Sequence, residues 1–450
     1  MTKYLLKSLI AGVLTTGLFA SCGEDRSGEY YALIGTQTWI YQTMQENYLY
    51  YEDLPAEDGL NFFTKPHDFL SSLLSDKDQK HGVKFSHLDS IYTEAKSRAN
   101  IHPSFGMEGV MVRVPNGSEA IRIIYTEKDS PAEEAKLKRG DWIIAANGRK
   151  INNNSYTKFI SRPSEACSFT LGSFNGEGFD TLNVVQMPAP RMVKANDILV
   201  SHFITSGDRK AFYLLYNEFG QDVEQIKILF KQLANEKFDD LILDLRYNPG
   251  GYVSTSQVMT SNIAPAEAMD KPFLKMTSND KLNKTEIYKI DASLLGGGIP
   301  LNYQNLYVIT SENTASASEI LINGLKPYMN GRMFQVGTAT FGKNVAQSRY
   351  YNEQNPQIEL WLTTYSLTNS EDFGDYFTKG LPADFQISED MGGSLGAFGT
   401  TEDLLLQPVL YHMANGSFPT KPEKAVFSRS QRMQVIYNPI EEKPKWMKVK

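Results

Sequence analysis

At 450 residues, with 41% hydrophobic and 22% charged side chains, the chain is long enough for two or three domains with separate cores, and its composition excludes wholesale disorder and a multi-span membrane protein. The formal charge of -7 becomes more negative once Lys3 and Lys7 of the N-terminus are removed, which argues against nucleic acid as a partner, since phosphates call for a basic face. Two cysteines, Cys22 and Cys167, supply no disulfide framework if the first is modified, and the six histidines show no metal-ligand spacing, so neither a metal nor another cofactor is expected.

Lys3 and Lys7 precede an apolar run from Leu9 to Phe19, followed by Ala20 and Ser21. This pattern predicts a signal peptide over residues 1–21, too short for a spanning helix. Leu18-Phe19-Ala20-Ser21-Cys22 resembles a lipobox, which implies lipidation of Cys22 and a membrane attachment through lipid; the alternative is an ordinary signal peptide with a chance cysteine. Residues 22–28 then form a polar tether. Residues 29–95 are expected to be a small helical domain, with Trp39, Met44 and Tyr48 at helical spacing and a second helix around Phe69, Leu70 and Leu73.

From residue 100 the pattern turns to short β-like runs, Gly109–Val114 and Ala120–Tyr125, then a helix start at Ser130-Pro131 and a strand closed by Asn147-Gly148. The stretch from Ser130 to Ile151 resembles the bacterial PDZ signature, which implies a PDZ-like β domain over residues 100–190. The matching peptide-carboxylate loop is Phe105, Gly106, Met107 and Gly109, though these glycines also suit a plain turn. Glu108 fits such a loop only if its side chain turns outward. Residues 195–420 alternate strand and helix, as in a covered α/β layer. Residues 421–450, with Pro439, Pro444 and several lysines, read as a loosely packed tail.

Three segments of the α/β region suggest chemistry. The buried strand through Leu243-Asp244-Leu245 runs into Asn248-Pro249-Gly250-Gly251, where exposed N–H groups could hold an oxyanion or simply end a strand. The strand Leu306–Thr310 leads to Thr314-Ala315-Ser316-Ala317-Ser318-Glu319, which places Ser316 at a helix N-terminus. Taken alone, Ser316 and Glu319 also fit a capping box. Lys343, in Phe341-Gly342-Lys343, could serve as a general base if burial lowers its pKa, with Gln347 orienting it from the same side of a strand that Lys343 begins; an ordinary surface lysine is the alternative.

In order and sequence these segments resemble the carboxyl-terminal processing (tail-specific) peptidases, over roughly residues 100–390. The resemblance implies a multidomain protein with a small helical N-terminal domain, a PDZ-like domain and a crotonase-like ββα-spiral core mixing α+β and α/β layers. It further implies Ser316 rather than Ser318 as nucleophile, Lys343 as base, Gln347 as its partner, and oxyanion donors at Ala317 and at Gly250 or Gly251. Substrates would be proteins or peptides with accessible C-terminal tails. With the lipobox, it resembles the lipoproteins of this family in Bacteroidetes-type bacteria, which implies an outer-membrane lipoprotein facing the periplasm or the cell surface. A non-catalytic peptide-binding lipoprotein of the same architecture is the other reading. Thr314 departs from the serine that opens the family's nucleophile segment, and Pro327 should end the following helix early.

Overall fold

Residues Asp240–Asp244 form a strand with every position buried, as a strand covered on both faces requires. Leu241 and Leu243 join Phe212, Leu214, Leu306 and Val308 against the helices Glu224–Leu233, Val253–Ile263 and Ala317–Leu325. Ile242, one step out of phase, packs with Tyr213, Tyr307 and Ile309 beneath the helix Gln407–Asn415. The computed structural model that yields this arrangement describes residues 27–90, 102–152, 154–353, 355–391, 393–420, 433–445 and 447–449. The expected signal peptide and Cys22 lie outside the described residues.

The sheet built on this strand has six members in the order Ile198–Ser206, Arg209–Tyr216, Asp240–Asp244, Asn305–Thr310, Met333–Gly337 and Phe385–Gln386, the first pair antiparallel and the rest parallel. Asp244 pairs with Ile309, so the two adjacent strands leave the sheet at the same end. One leads into the Pro-Gly-Gly turn and the other into Ser316, and parallel sheets present ligand sites at such carboxyl ends. Below the turn, the fully buried Arg246 donates to Asp244, Asp403 and Glu389. Glu389 also accepts from Arg139, in the turn before the strand Trp142–Ala146, and against the opposing effect of burial Arg139 and Arg246 hold its carboxyl down to about 2.

A second sheet runs Gly251–Tyr252, Met447–Lys448, Val345–Tyr351, Ile358–Thr368, Pro272–Thr277, Thr285–Lys289, with His87–Ser90 also paired to Ile358–Thr368. The N-terminal helices Ser27–Asn47 and Pro66–Leu73 bury Ile40, Met44, Tyr48, Phe69 and Leu73 against Leu88, Leu360 and Leu362 of this sheet. Among the described residues, these helices thus share their core with strands of the second sheet. Each helix buries apolar side chains that the sheet covers as a second layer.

The third sheet holds Met107–Arg113, Glu119–Thr126, Trp142–Ala146, Cys167–Phe174 and Phe179–Met187, with Gln434–Tyr437 added at its edge. Asn147 and Gly148 both take positive φ (49° and 74°) between the paired residues Ala146 and Arg149, the two-residue turn that Asn-Gly favours. Residues 421–432 of the expected loose tail lie outside the described residues, but the rest departs from that expectation: Gln434–Tyr437 and Met447–Lys448 are strands in two different sheets, with the short helix Pro439–Glu442 between them, and Met447 is fully buried. Strands of four and two residues are too short to show a period, so the prolines and lysines dominate a reading of this segment.

Candidate active site

Asn248 ties the glycine turn to the serine segment. Its Oδ1 accepts from the Gly250 N–H at 2.9 Å, and its carbonyl accepts from the Ala315 N–H at 3.1 Å and the Ser318 Oγ at 3.3 Å. Ser318 is thus turned to the turn's backbone. Gly250 has φ +109°, and a Cβ there would stand 2.6 Å from the Ser316 Cβ and 2.9 Å from its Oγ, so only glycine lets the turn approach the serine this closely.

The two glycines are not equivalent. The Gly250 N–H is committed to Asn248. The Phe219 N–H donates to the Gly250 carbonyl and the Tyr252 N–H to the Phe219 carbonyl, both at 2.9 Å. By the alternation of a strand, the N–H and C=O of Gly251 then face the opposite edge, where Met447 is its paired residue.

Ser316 is the N-cap of the helix Ala317–Leu325 and has φ +62°, ψ -115°. A β-carbon in that region costs on the order of 1–3 kcal/mol and persists only where the surroundings enforce it. Glu319 does so by accepting from the Ser316 N–H at 2.7 Å. The capping box anticipated from the sequence is present, and it coexists with a strained, exactingly placed serine beside the glycine turn. Ala317 occupies the first helical position, where a backbone N–H has no intrahelical acceptor. As expected from Pro327, the α-helix stops at Leu325 and a 3-10 turn, Lys326–Tyr328, follows.

Lys343 is fully buried. It precedes the strand Val345–Tyr351 instead of beginning it, because Gly342 (φ +97°) turns the chain and a Cβ there would strike the Tyr376 and Phe377 carbonyls. Gln347 nevertheless reaches it: Nζ donates to the Gln347 Oε1 at 2.6 Å and to the Lys445 carbonyl, and no hydrogen bond joins it to Ser316 among the described residues. Burial drives the Lys343 pKa down to about 7, against the opposing pull of Asp78 and Glu319.

Three participants escaped the sequence reading. Glu319, read only as a cap, is fully buried and accepts from the Lys343 N–H (2.8 Å), the Gly342 N–H (2.6 Å) and the Thr340 Oγ1 as well as from Ser316, so one carboxylate holds the backbones of both functional segments. Burial pushes its pKa up to about 7 while these donors oppose the rise. Asp78 accepts from Thr363 and from the Tyr48 hydroxyl (3.1 Å), and Thr363 Oγ1 accepts from the Gln347 Nε2 at 3.0 Å, which fixes the amide so that its oxygen faces Lys343. Lys445 is the third. With Glu441 it walls a cavity of about 520 Å³ that Lys80, Asn313, Thr340 and Phe341 also line.

The other predicted residues sit about the start of Met107–Arg113. Phe105 is buried, and Gly106 (φ +68°) lies where a Cβ would meet Ser130 at 2.3 Å. Gly109 is inside the strand and not in a loop, and its missing side chain admits Ile121 and the Arg122 carbonyl. Met107 opens the strand, and the Glu108 carboxylate, the awkward group of the sequence reading, accepts from the Tyr156 hydroxyl at 2.6 Å.

The chain is similar to known proteins in sequence and in fold. Residues 210–387 match peptidase family S41, and residues 35–87 match the peptidase S41 N-terminal domain. A carboxyl-terminal-processing protease of Picosynechococcus sp. is 27% identical over 356 residues, covering 76% of this chain and 81% of that relative. The chloroplastic carboxyl-terminal-processing peptidase 3 of Arabidopsis thaliana is 27% identical over 60% of this chain, and the chain spans only 50% of that relative's length. A solved structure from Bacteroides fragilis, assigned to the S41 proteases, superposes with a TM-score of 0.73 at 27% identity over 84% of this chain and 97% of its own. The family match covers both the glycine turn and the segments bearing Ser316 and Lys343, and on that basis the chain belongs to peptidase family S41.

Proposed function

We propose that the protein is a serine endopeptidase that cuts protein substrates near their C-terminal tails, with Ser316 as nucleophile and Lys343 as general base. The observation that carries this reading is a buried lysine amine held by Gln347 while one Glu319 oxygen accepts from the backbone N–H of both Ser316 and Lys343. The neutral Lys343 amine takes the Ser316 hydroxyl proton as Oγ bonds to the scissile carbonyl carbon. The N–H group of Ala317 and one from the Gly250-Gly251 turn receive the oxyanion. The C–N bond then breaks, and the Lys343 ammonium returns its proton to the departing amine. Water attacks the acyl ester, gives a proton to Lys343 and releases the new C-terminal carboxylate, with Ser316 reprotonated.

Residues 100–190 act in this reading as a PDZ-like domain that pairs the substrate's tail with Met107–Arg113 near the Phe105–Met107 loop. Lipidation of Cys22 holds the enzyme to the membrane in the cell envelope. Fluorophosphonate labelling with mass-spectrometric mapping tests the assignment. Adduct on Ser316, and none in Ser316→Ala, is the expected outcome; adduct on Ser318, or undiminished labelling of Ser316→Ala, refutes it.

A further inference from the structure

The segment read as a loose tail follows the path that a substrate peptide would take. Gln434–Tyr437 pairs antiparallel with Met107–Arg113, Gln434 opposite Arg113 and Tyr437 opposite Met111, so it runs toward the Phe105–Met107 loop. This is the addition of an extended peptide to a free sheet edge. The Tyr437 ring packs edge-on to Tyr156 at 4.7 Å, and Ile440 is buried. The chain then crosses to the catalytic groups. Lys443 Nζ donates to the Tyr125 hydroxyl at 3.2 Å, and the Lys445 carbonyl accepts from the Lys343 Nζ. The Met447 N–H donates to the Gln347 Oε1 at 3.3 Å and the Val449 N–H to the Gln347 carbonyl at 3.1 Å.

Met447 and Lys448 complete the path. They pair in parallel with Gly251 and Tyr252 on one side, and Lys448 pairs with Gln347 on the other. A two-residue strand therefore fills the slot between the glycine turn and the base's partner, and it meets the edge toward which the Gly251 N–H is directed. Three groups that the chemistry requires are engaged by this one segment: the Lys343 amine, the Gln347 amide oxygen and the open edge of Gly251. The same segment takes up the edge of the third sheet.

We propose that residues 433–445 and 447–449 form a built-in peptide ligand that lies across both the recognition edge and the catalytic slot, and that a substrate peptide must displace it. The inference rests on the peptidase reading of the site, but it can fail separately. The slot binds an extended peptide through its backbone, and the occupant here is the chain's own segment.

The test uses the full chain carrying Tyr437→Ala and Met447→Asp, which removes the ring contact and places a charge in the buried slot, with a synthetic peptide of residues 433–449 as probe. The double variant should react with fluorophosphonate at least about fivefold faster than wild type, and the added peptide should return it to the slow rate. In a Ser316→Ala background, where no cleavage occurs, labelled peptide should bind the double variant and not the protein with its own segment intact. A folded double variant that reacts no faster, or that fails to bind the peptide, overturns the proposal. If the double variant does not fold, hydrogen exchange on wild type decides. Amides of 434–437 and 447–449 should open more readily than those of Val345–Tyr351, and equal protection shows a permanent part of the sheet. If no protein reacts with fluorophosphonate, the peptidase reading fails while the binding and exchange measurements still decide this one.

Discussion

Lys343→Met is expected to lower kcat for a tail-bearing fluorogenic peptide by roughly 10²–10⁴-fold, the range that a positioned general base contributes. Methionine keeps the unbranched stem that packs in the buried site and removes only the amine. Because the amine acts in the transition state, kcat and kcat/KM should fall together with KM nearly unchanged. Steady-state kinetics on the two proteins check this, and retention of more than a tenth of the wild-type kcat would show that another group takes the serine's proton. His412, whose pKa burial lowers, is no substitute. It is bonded to Tyr307 on the opposite face of the six-stranded sheet from the helix bearing Ser316.

Glu319→Gln is the second large effect. The carboxylate meets four donors, two on each oxygen: the N–H groups of Ser316 and Lys343 on Oε2, and the Gly342 N–H and Thr340 hydroxyl on Oε1. An amide keeps one acceptor oxygen and turns an NH₂ toward the other pair, leaving buried donors unsatisfied at about 1–3 kcal/mol each. Ser316 would lose part of what enforces its positive φ, and a displacement of about 1 Å between reacting groups can cost 10²-fold. The variant should therefore show kcat lowered by about 10–100-fold when assayed well below its own melting midpoint. Its pH–rate midpoint should move as well, because Glu319 is one of the charges that hold up the Lys343 pKa. Removing that charge lowers the midpoint, and a fall in thermal stability with kinetics and midpoint unchanged would make Glu319 merely structural.

The legible parts of the site were those written in local pattern. Asp240–Asp244 and Asn305–Thr310 are apolar runs long enough to be strands by themselves, and the small residues after the second strand mark a helix start. Locally, however, Ser316 read more readily as a helix cap than as a nucleophile; the cap is present, and Glu319 ties it to the loop that carries Lys343. The relation of Lys343 to Gln347 came out correctly for a reason that does not apply, since Lys343 lies before the strand. What could not be read came from distance along the chain. Thr363 meets Asp78 across 285 positions and Lys445 reaches Lys343 across 102. No period or spacing encodes such contacts; they exist only once the N-terminal strand and the C-terminal segment have joined the second sheet.

In the proposed mechanism a buried, neutral Lys343 is the base for Ser316. The most direct measurement is the pH dependence of the second-order rate of Ser316 acylation by fluorophosphonate in the full chain. Burial places the Lys343 pKa near 7, with Asp78 and Glu319 raising it and Lys448 lowering it, and only the deprotonated amine can accept the proton. The rate should therefore rise with pH through a midpoint near 7, by about tenfold between pH 6 and 8, and lose activity as pH falls through that value. A rate that is flat from pH 6 to 9, or that rises only where an ordinary lysine would deprotonate, contradicts the account.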